Sequence, residues 1–324
     1  MRVVYFGTPA AAVPPLEALL ASGHQVVAVV TRPDRPRDHR GGTPAPSPVK
    51  QAALAAGLPV LQPPRGRDPE LPGQLAALDP DAGCSCAFGY LLPPEVLAVF
   101  PEGIVNLHFS LLPAYRGPAP VQRAVADGVA VTGVTTFLVD EGMDTGPLLL
   151  AAELGVGPDE DAGALTARLA EVAAALAVET LDALESGQAR PRPQPEAGVS
   201  LAPKVRPEEA RLDFTRPAAR LANEVRAFTP APGAWTTHRG RRLKVTRAAP
   251  WGRGGPTGSP PAGQQPATGL APGRLGLGPG GRLLVGTADR PLELVEVRPE
   301  GRRAMSGAEF ARGARLGPEE WLGR

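Results

Sequence analysis

Residues 2–31, RVVYFGTPAAAVPPLEALLASGHQVVAVVT, decide the fold because they place a helix pattern between two buried strand patterns. The strand patterns, at 2–7 and 25–31, are rich in valine and have no alternating polar positions, which is typical of parallel strands covered on both faces. The helix pattern at 10–23 ends at Gly23, a residue that commonly terminates helices. This strand–helix–strand unit predicts a parallel sheet.

The same alternation continues through the first half of the chain. One helix pattern covers 47–57, with Ser47 at its cap and Pro48 in its first turn, and a long amphipathic pattern covers 164–186. Strand patterns lie between the helices, among them DAGCSCAF, GIVNLHFS and VTGVTTFLVD. The order predicts an open, doubly wound, Rossmann-like α/β domain over residues 1–186.

The second half of the chain has a different pattern. A proline-rich segment over 187–203 predicts a semi-rigid linker. Residues 204–324 contain one helix pattern and then short alternating strands separated by glycine, which is typical of a small β-barrel. A low-complexity stretch at 251–273 interrupts these strands and predicts a loop.

Composition excludes several classes of protein. With 43% hydrophobic and 21% charged residues among 324, the chain has the composition of a soluble, two-domain protein. It has no run of about 18 apolar residues that would predict a membrane span. Its first residues, MRVVYFGTP, enter a strand without the features of a signal peptide, so we expect a cytoplasmic protein. Two cysteines, Cys84 and Cys86, and four histidines do not form a zinc ligand pattern, so no metal is expected.

Charge is divided unevenly along the chain. Residues 1–200 contain 13 Lys and Arg against 22 Asp and Glu, a net charge of −9, whereas residues 201–324 contain 21 against 11, a net charge of +10. Such an asymmetry suggests that the second half binds a polyanion. The alternative is a complementary pair of acidic and basic domains within one molecule.

Three polar residues fall where a doubly wound sheet places its ligand. Glycines at 7, 41–42 and 89 match neither the dinucleotide nor the P-loop pattern. Ligands of open α/β sheets nevertheless bind at the carboxyl ends of the strands. Asn106 and His108 share one face near the end of a predicted strand, and Asp144 follows the next strand.

The chemistry of this trio is narrowed by what the chain lacks. A serine hydrolase would need a G-x-S-x-G elbow, which the sequence does not contain. The remaining reaction is acyl transfer in which the substrate supplies the nucleophile. Asn106 would donate to an oxyanion, His108 would donate or move a proton, and Asp144 would fix the histidine tautomer and accept a proton. The alternative is that the three are turn formers and satisfied core polar groups.

The motifs add a resemblance to this interpretation. NLHFSLLPAYRGPAPVQRA followed by TGVTTFLVDEGMDTGPLL closely resembles the catalytic signature of the folate-dependent formyltransferases, N-x-H-x-S-L-L-P with a downstream D-x-G-x-D-T-G. FGTPAAAVPPLEALL, PSPVKQAALAAGLPV, LAPKVRPEEARLDF and GRRAMSGAEFARG extend the resemblance over essentially the whole chain. It implies transfer of the formyl group of 10-formyltetrahydrofolate to the α-amino group of methionine on initiator tRNA, by a monomer with an OB-like C-terminal barrel that binds the tRNA.

The resemblance also implies roles for individual residues. Asn106, His108 and Asp144 are the catalytic trio. The folate pocket is lined by Tyr90, Leu92, Ser110, Leu111, Leu112, Pro113 and Val139. The tRNA is contacted by Arg40, Lys204 and Arg206, although GTPA replaces the lysines that usually follow the R-G of the loop at 34–50.

Three other functions stay open at this level. A formyltransferase acting on a purine-precursor ribotide or an amino sugar would use the same trio, as would a formyltetrahydrofolate hydrolase with water as nucleophile. Neither needs a basic second domain. A non-catalytic RNA-binding protein would need the basic domain and not the trio.

Overall fold

A computed structural model describes residues 1–36, 44–252, 269–317 and 319–323. The chain divides into two compact units. Unit 1 comprises Met1–Pro120, Val131–Val156 and Leu165–Lys204, and unit 2 comprises Val121–Ala130, Gly157–Ala164 and Val205–Arg324.

Unit 1 is built on a seven-stranded sheet. The strands of the first half of the chain are β1 (Arg2–Gly7), β2 (Gln25–Val30), β3 (Arg35–Pro36), β4 (Pro44–Ala45), β5 (Val60–Leu61), β6 (Ala82–Cys86), β7 (Ile104–His108), β8 (Val131–Leu138) and β9 (Leu148–Gly155). The sheet order is β5-β2-β1-β6-β7-β8-β9, while β3 and β4 form a separate ribbon. The first five strands of this order are parallel, which confirms the predicted doubly wound domain.

The far edge of the sheet departs from the prediction. Strand β8 runs antiparallel to β7, and β9 runs antiparallel to β8. The sequence reasoning did not predict β9, because its alanines and glutamate are weak strand formers and its exposed positions belong to a sheet edge. The antiparallel return brings the loop between β8 and β9 back to the end of β7.

Helices lie between the strands as the sequence predicts. They are α1 (Val13–Ala21), α2 (Pro48–Ala55), α3 (Leu71–Ala76), α4 (Pro94–Leu97), α5 (Pro120–Asp127) and α6 (Ala162–Glu185). Ser47 caps α2 by accepting a hydrogen bond from the Lys50 backbone N–H at 3.1 Å, and Pro48 occupies the first turn. No helix among the described residues combines the length and the hydropathy that crossing a bilayer requires.

An aromatic core fixes the strands that carry the site. The ring of Phe6 on β1 packs edge-to-face on Phe88 and Phe100, with centroids 5.5 and 5.9 Å apart. Burying each such ring contributes roughly 1.5–3 kcal/mol. Cys84 and Cys86 are free thiols buried on β6, and burial raises the pKa of Cys86 to about 12, so both behave as small core residues.

Unit 2 contains a curled antiparallel sheet. Its elements beyond residue 204 are α7 (Ala218–Ala227), β10 (Trp235–His238), β11 (Arg241–Pro250), β12 (Leu275–Leu277), β13 (Leu283–Val285), β14 (Leu292–Pro299), β15 (Met305–Ser306) and α8 (Gly307–Ala314). The strand order is β10-β11-β14-β13-β12, with β15 paired to β14. Leu322 pairs with His238 at one edge, and Trp321 pairs with Arg274 beside the other, so the chain end bridges the two edges. This confirms the predicted small barrel, while residues 253–268 of the predicted loop lie outside the described residues.

Candidate active site

Strand β7 presents Asn106 and His108 from the same face. Asn106 lies opposite Ser85 of β6 and Phe137 of β8, and His108 lies opposite Thr135. Residues two apart in a strand are separated by about 6.6 Å, so both side chains can contact one small group. Asn106 is half-buried, and its amide makes no hydrogen bond with another described residue. The amide is therefore available to a ligand.

His108 has a defined tautomer. Its side chain is buried, with 5% of the residue exposed, and its Nε2 lies 2.8 Å from the carbonyl oxygen of Tyr115. Because a carbonyl oxygen only accepts, Nε2 carries the proton and Nδ1 presents a lone pair. The expectation that Asp144 fixes the tautomer is thus wrong: the Tyr115 carbonyl does so, from the turn that follows β7.

Asp144 lies on the Nδ1 side of the His108 ring, opposite the nitrogen that donates to Tyr115. Its Oδ2 is 3.6 Å from Nδ1 of His108, which is too long for a direct hydrogen bond. The same oxygen accepts the backbone N–H of Gly117 at 2.7 Å, and the side chain is 18% exposed. Two acceptors facing each other across this gap suit a bound group that carries N–H or O–H protons. The structure therefore brings together the histidine and carboxylate that the sequence singled out.

The surroundings keep His108 in its neutral form at pH 7. Burial lowers the pKa of its imidazole below the usual value of 6.5, and this effect exceeds the opposing effects of the Asp144 charge and the Tyr115 hydrogen bond. A neutral ring whose Nδ1 lone pair is directed towards a carboxylate can accept a proton.

The Asp144 loop explains the spacing of its motif. The Asp140 carboxylate accepts the Thr145 hydroxyl at 2.8 Å and the Gly142 backbone N–H at 3.1 Å, which closes the turn. Position 146 requires glycine because the backbone there packs against the carbonyl oxygen of Leu138 at the end of β8, and a Cβ would overlap that oxygen. The D-x-G-x-D-T-G pattern is thus a turn that presents one carboxylate.

Sequence reasoning missed the part of the linker that holds this site. Ser200 Oγ accepts the Tyr115 backbone N–H at 2.8 Å, and the Arg192 and Leu148 backbones exchange hydrogen bonds. Gln194 contacts the Asp144 loop directly. Residues 192–202, the strap, therefore pair with both loops around the trio. Proline-rich composition indicated only a spacer, and no local pattern predicts where such a segment packs.

Ser110 forms hydrogen bonds within the turn that follows β7. Its side chain is completely buried, and its hydroxyl donates to the Ala114 carbonyl at 2.6 Å. Its own carbonyl accepts the Thr135 hydroxyl at 2.7 Å. Ser110 therefore stabilises the turn after β7 through its side chain, and its place in the folate pocket stays a prediction.

The remaining predicted pocket residues divide into two groups. Leu92 and Leu112 are buried, and Leu92 belongs to the same hydrophobic core as Phe6. Leu111, Pro113, Tyr90 and Val139 are half-buried. The guanidinium of Arg32, which the sequence reasoning did not select, lies over the Tyr90 ring at 4.8 Å, and the Tyr90 hydroxyl donates to the Pro64 carbonyl.

The predicted tRNA contacts are only partly described. Lys204 and Arg206 are exposed, while Arg40 lies outside the described residues. Unit 2 contains a basic surface. The sequence predicted only the net positive charge of this half of the chain, not which residues form the surface. A cavity of about 280 Å³ there is lined by His238, Arg239, Arg241, Arg242 and Arg302, among others. Burial lowers the pKa of the neighbouring Lys244, and the charges of Arg298 and Arg242 lower it further.

These features define an acyl-transfer enzyme with a basic second domain, and comparison with known proteins specifies the group it transfers. The formyl transferase family model matches residues 1–181, and the model of the formyl transferase C-terminal domain matches residues 204–315. The chain belongs to the formyl transferase family.

Relatives that match along the full chain include methionyl-tRNA formyltransferases. The protein of that name from Frankia casuarinae is 50% identical over 330 residues, covering 100% of this chain and 96% of the relative. The protein from Thermobifida fusca is 47% identical over 323 residues, covering 100% and 99%.

Solved structures share the fold at low identity. HypX from Aquifex aeolicus, crystallised with tetrahydrofolic acid, superposes with a TM-score of 0.63 and 17% identity over 96% of this chain and 47% of HypX. An N-formyltransferase from Helicobacter canadensis, with folinic acid and dTDP-3-aminofucose, gives a TM-score of 0.66 and 15% identity over 91% of this chain and 98% of that one.

Proposed function

We propose that this formyltransferase transfers the formyl group of 10-formyltetrahydrofolate to the α-amino group of initiator methionyl-tRNA, giving N-formylmethionyl-tRNA for translation initiation. The observation that carries the proposal is the gap between Nδ1 of His108 and the Asp144 carboxylate, with His108 on the strand that also carries Asn106, whose amide makes no hydrogen bond with another described residue. The identity with methionyl-tRNA formyltransferases along the full chain supports the choice of acceptor.

The nucleophile comes from the substrate. An α-amino group has a pKa of about 7.7–8.0 and is partly unprotonated near neutrality, so no protein nucleophile is required. The amine nitrogen attacks the formyl carbon, and the carbonyl oxygen becomes an oxyanion. Asn106 donates its amide N–H to that oxyanion, an interaction worth roughly 2.7–4 kcal/mol in comparable sites.

Protons move through His108 and Asp144. After attack the amine nitrogen carries a positive charge, and its N–H lies between Nδ1 of His108 and Oδ2 of Asp144, which both accept. Loss of one proton to this pair prevents reversal of the attack. The C–N10 bond of the folate then breaks with its electron pair on N10, and the proton is delivered there, leaving tetrahydrofolate and the N-formyl amide.

We assign the two substrates to different parts of the chain. Residues 1–186 form the catalytic domain. Its folate pocket is lined by the backbone of Ser110 and by Tyr90, Leu92, Leu111, Leu112, Pro113 and Val139. The strap lies within the 187–203 linker, and residues 204–324 form the tRNA-binding domain, with Lys204 and Arg206 at its start. The reaction uses no metal and takes place in the cytoplasm on a monomer.

Incubation of purified protein with 10-formyltetrahydrofolate and charged initiator tRNA tests the proposal. We expect one N-formylmethionyl-tRNA for each tetrahydrofolate released, and no product from free methionine. Turnover of free methionine or an amino sugar, with none of charged tRNA, would reject it in favour of a small-amine formyltransferase. Tetrahydrofolate release without any formylated product would instead indicate a hydrolase.

A further inference from the structure

The side chain of Gln194 joins the two loops that hold the catalytic pair. Its Nε2 donates to the carbonyl oxygens of Asp144 at 2.8 Å and Gly146 at 2.9 Å. Its Oε1 accepts from both Nε and Nη2 of Arg116, at 2.9 and 2.6 Å. Both ends of the amide are therefore used, one on each loop.

The Asp144 loop depends on such support. Asp144 has φ +54°, a left-handed conformation that persists in a non-glycine residue only where the surroundings hold it. The three preceding residues, 141–143, are exposed, so contacts at that side of the loop are few. The bond from Thr145 to Asp140 closes the turn at one side, and the two bonds from Gln194 hold its backbone at the other.

Arg116 connects the same amide to the histidine. It follows Tyr115, whose carbonyl fixes the His108 tautomer. The Arg116 backbone pairs with the strap on both sides, donating to the Ser200 carbonyl and accepting from the Ala202 N–H. Gln194 thus links the segment that orients His108 to the segment that carries Asp144, in addition to the direct bond from the Gly117 N–H to the Asp144 carboxylate.

We propose that Gln194 is a positioning residue for formyl transfer, acting by holding the Asp144 carboxylate at its place beside Nδ1 of His108. The effect on the rate of formyl transfer rests on the proposed function, whereas the effect on the position of the Asp144 carboxylate does not. A linker that only joins two domains would not require an amide at this position.

Two substitutions distinguish the role of the Gln194 amide N–H donors from that of its carbonyl acceptor. Gln194→Met removes donors and acceptor at nearly constant length, whereas Gln194→Glu keeps the acceptor for Arg116 and loses the donors to the Asp144 loop. We expect both to lower kcat by about 10²-fold, the loss typical of a reacting group misplaced by 1 Å, with unchanged KM for both substrates. Gln188→Met is the matched control, because Gln188 is exposed on the same linker. Wild-type kcat in Gln194→Glu would overturn the proposal.

Double substitution tests whether Gln194 acts through Asp144. In an Asp144→Asn background, Gln194→Met should reduce kcat little further, since the positioned carboxylate is already absent. Equal fold losses in both backgrounds would overturn the proposal.

NMR titration of the His108 ring tests the position without turnover. Because the Asp144 charge supports the imidazolium, its displacement in Gln194→Met should lower the pKa of His108 relative to wild type. An unchanged His108 pKa would reject the positioning role even if formyl transfer is confirmed, and a lowered pKa would support it even if the acceptor proved to be a different amine.

Discussion

Nδ1 of His108 and Oδ2 of Asp144 face each other across 3.6 Å, while the opposite nitrogen of the ring donates to the Tyr115 carbonyl. At neutral pH, Nδ1 of His108 presents a lone pair and the Asp144 carboxylate carries no proton, so neither group can donate a hydrogen bond to the other. Both atoms can accept a hydrogen bond from a group bound beside them, and an amine that becomes positively charged during attack is such a donor. This relationship is the basis on which we propose that the pair accepts a substrate proton.

The first prediction concerns the titration of His108. Burial lowers the pKa of its imidazole, so NMR should give a value below 6.5, and Asp144→Asn should lower it further because the supporting charge is removed. Since the folded pKa lies below the unfolded one, the stability contributed by neutral His108 is fully present above about pH 6.5 and is lost as pH falls through the folded value. A titration at or above 6.5 would contradict the neutral-base assignment.

A second prediction concerns Asn106. Replacing it by alanine removes the amide that we assign to the oxyanion, so kcat should fall by about 10²–10³-fold. Folate affinity and thermal stability should change little, because the amide makes no hydrogen bond with another described residue. Steady-state kinetics and a folate titration measure the two effects separately. A raised folate KM at constant kcat would place Asn106 in binding instead.

The third prediction distinguishes Ser110 from the residues around it. Ser110→Ala leaves the Ala114 carbonyl without its buried donor and should lower the free energy of unfolding by about 1–3 kcal/mol. The KM for folate should stay near that of wild type, because the hydroxyl has no access to a ligand. Denaturant unfolding and kinetics of the same preparation test this. A large rise in folate KM with unchanged stability would show that the hydroxyl itself contacts the folate.

The fourth prediction concerns the basic surface of unit 2. Arg241→Ala combined with Arg302→Ala should raise the KM for tRNA and reduce the slope of log affinity against log salt by about 0.7–0.9 for each phosphate that the protein no longer neutralises. Folate affinity should not change. Arg190→Ala is the control, since that exposed guanidinium of unit 1 donates to the Gly187 carbonyl. An unchanged slope would indicate that the positive charge complements the acidic half of the chain.

The sequence predicts the parts of the site that follow strand periodicity. Alternation along β7 places Asn106 and His108 on one face, and the turn motif after β8 returns Asp144 to the same end of the sheet. The tautomer of His108 was not predictable, because it depends on a backbone carbonyl of Tyr115 held in a left-handed turn. Strand periodicity does not extend to Ser110, because β7 ends at His108.

Long-range contacts account for most of what the sequence did not predict. Gln194 reaches a loop 50 residues earlier in the chain, and a proline-rich composition carries no signal for such a partner. The antiparallel edge strand β9 likewise depends on pairing with β8 more than on its own propensity. Local patterns thus predicted the sheet and the trio, while the supports of the trio required the tertiary structure.

Single-turnover formyl transfer by Asp144→Asn tests most sharply whether His108 and Asp144 take a proton from the attacking amine. The substitution keeps an oxygen for the Gly117 N–H, and Glu141→Gln, an exposed neighbour in the same loop, is the control. With both substrates saturating, we predict a rate about 10²–10⁴-fold below wild type with unchanged substrate binding. A rate near that of wild type would show that the pair does not accept this proton.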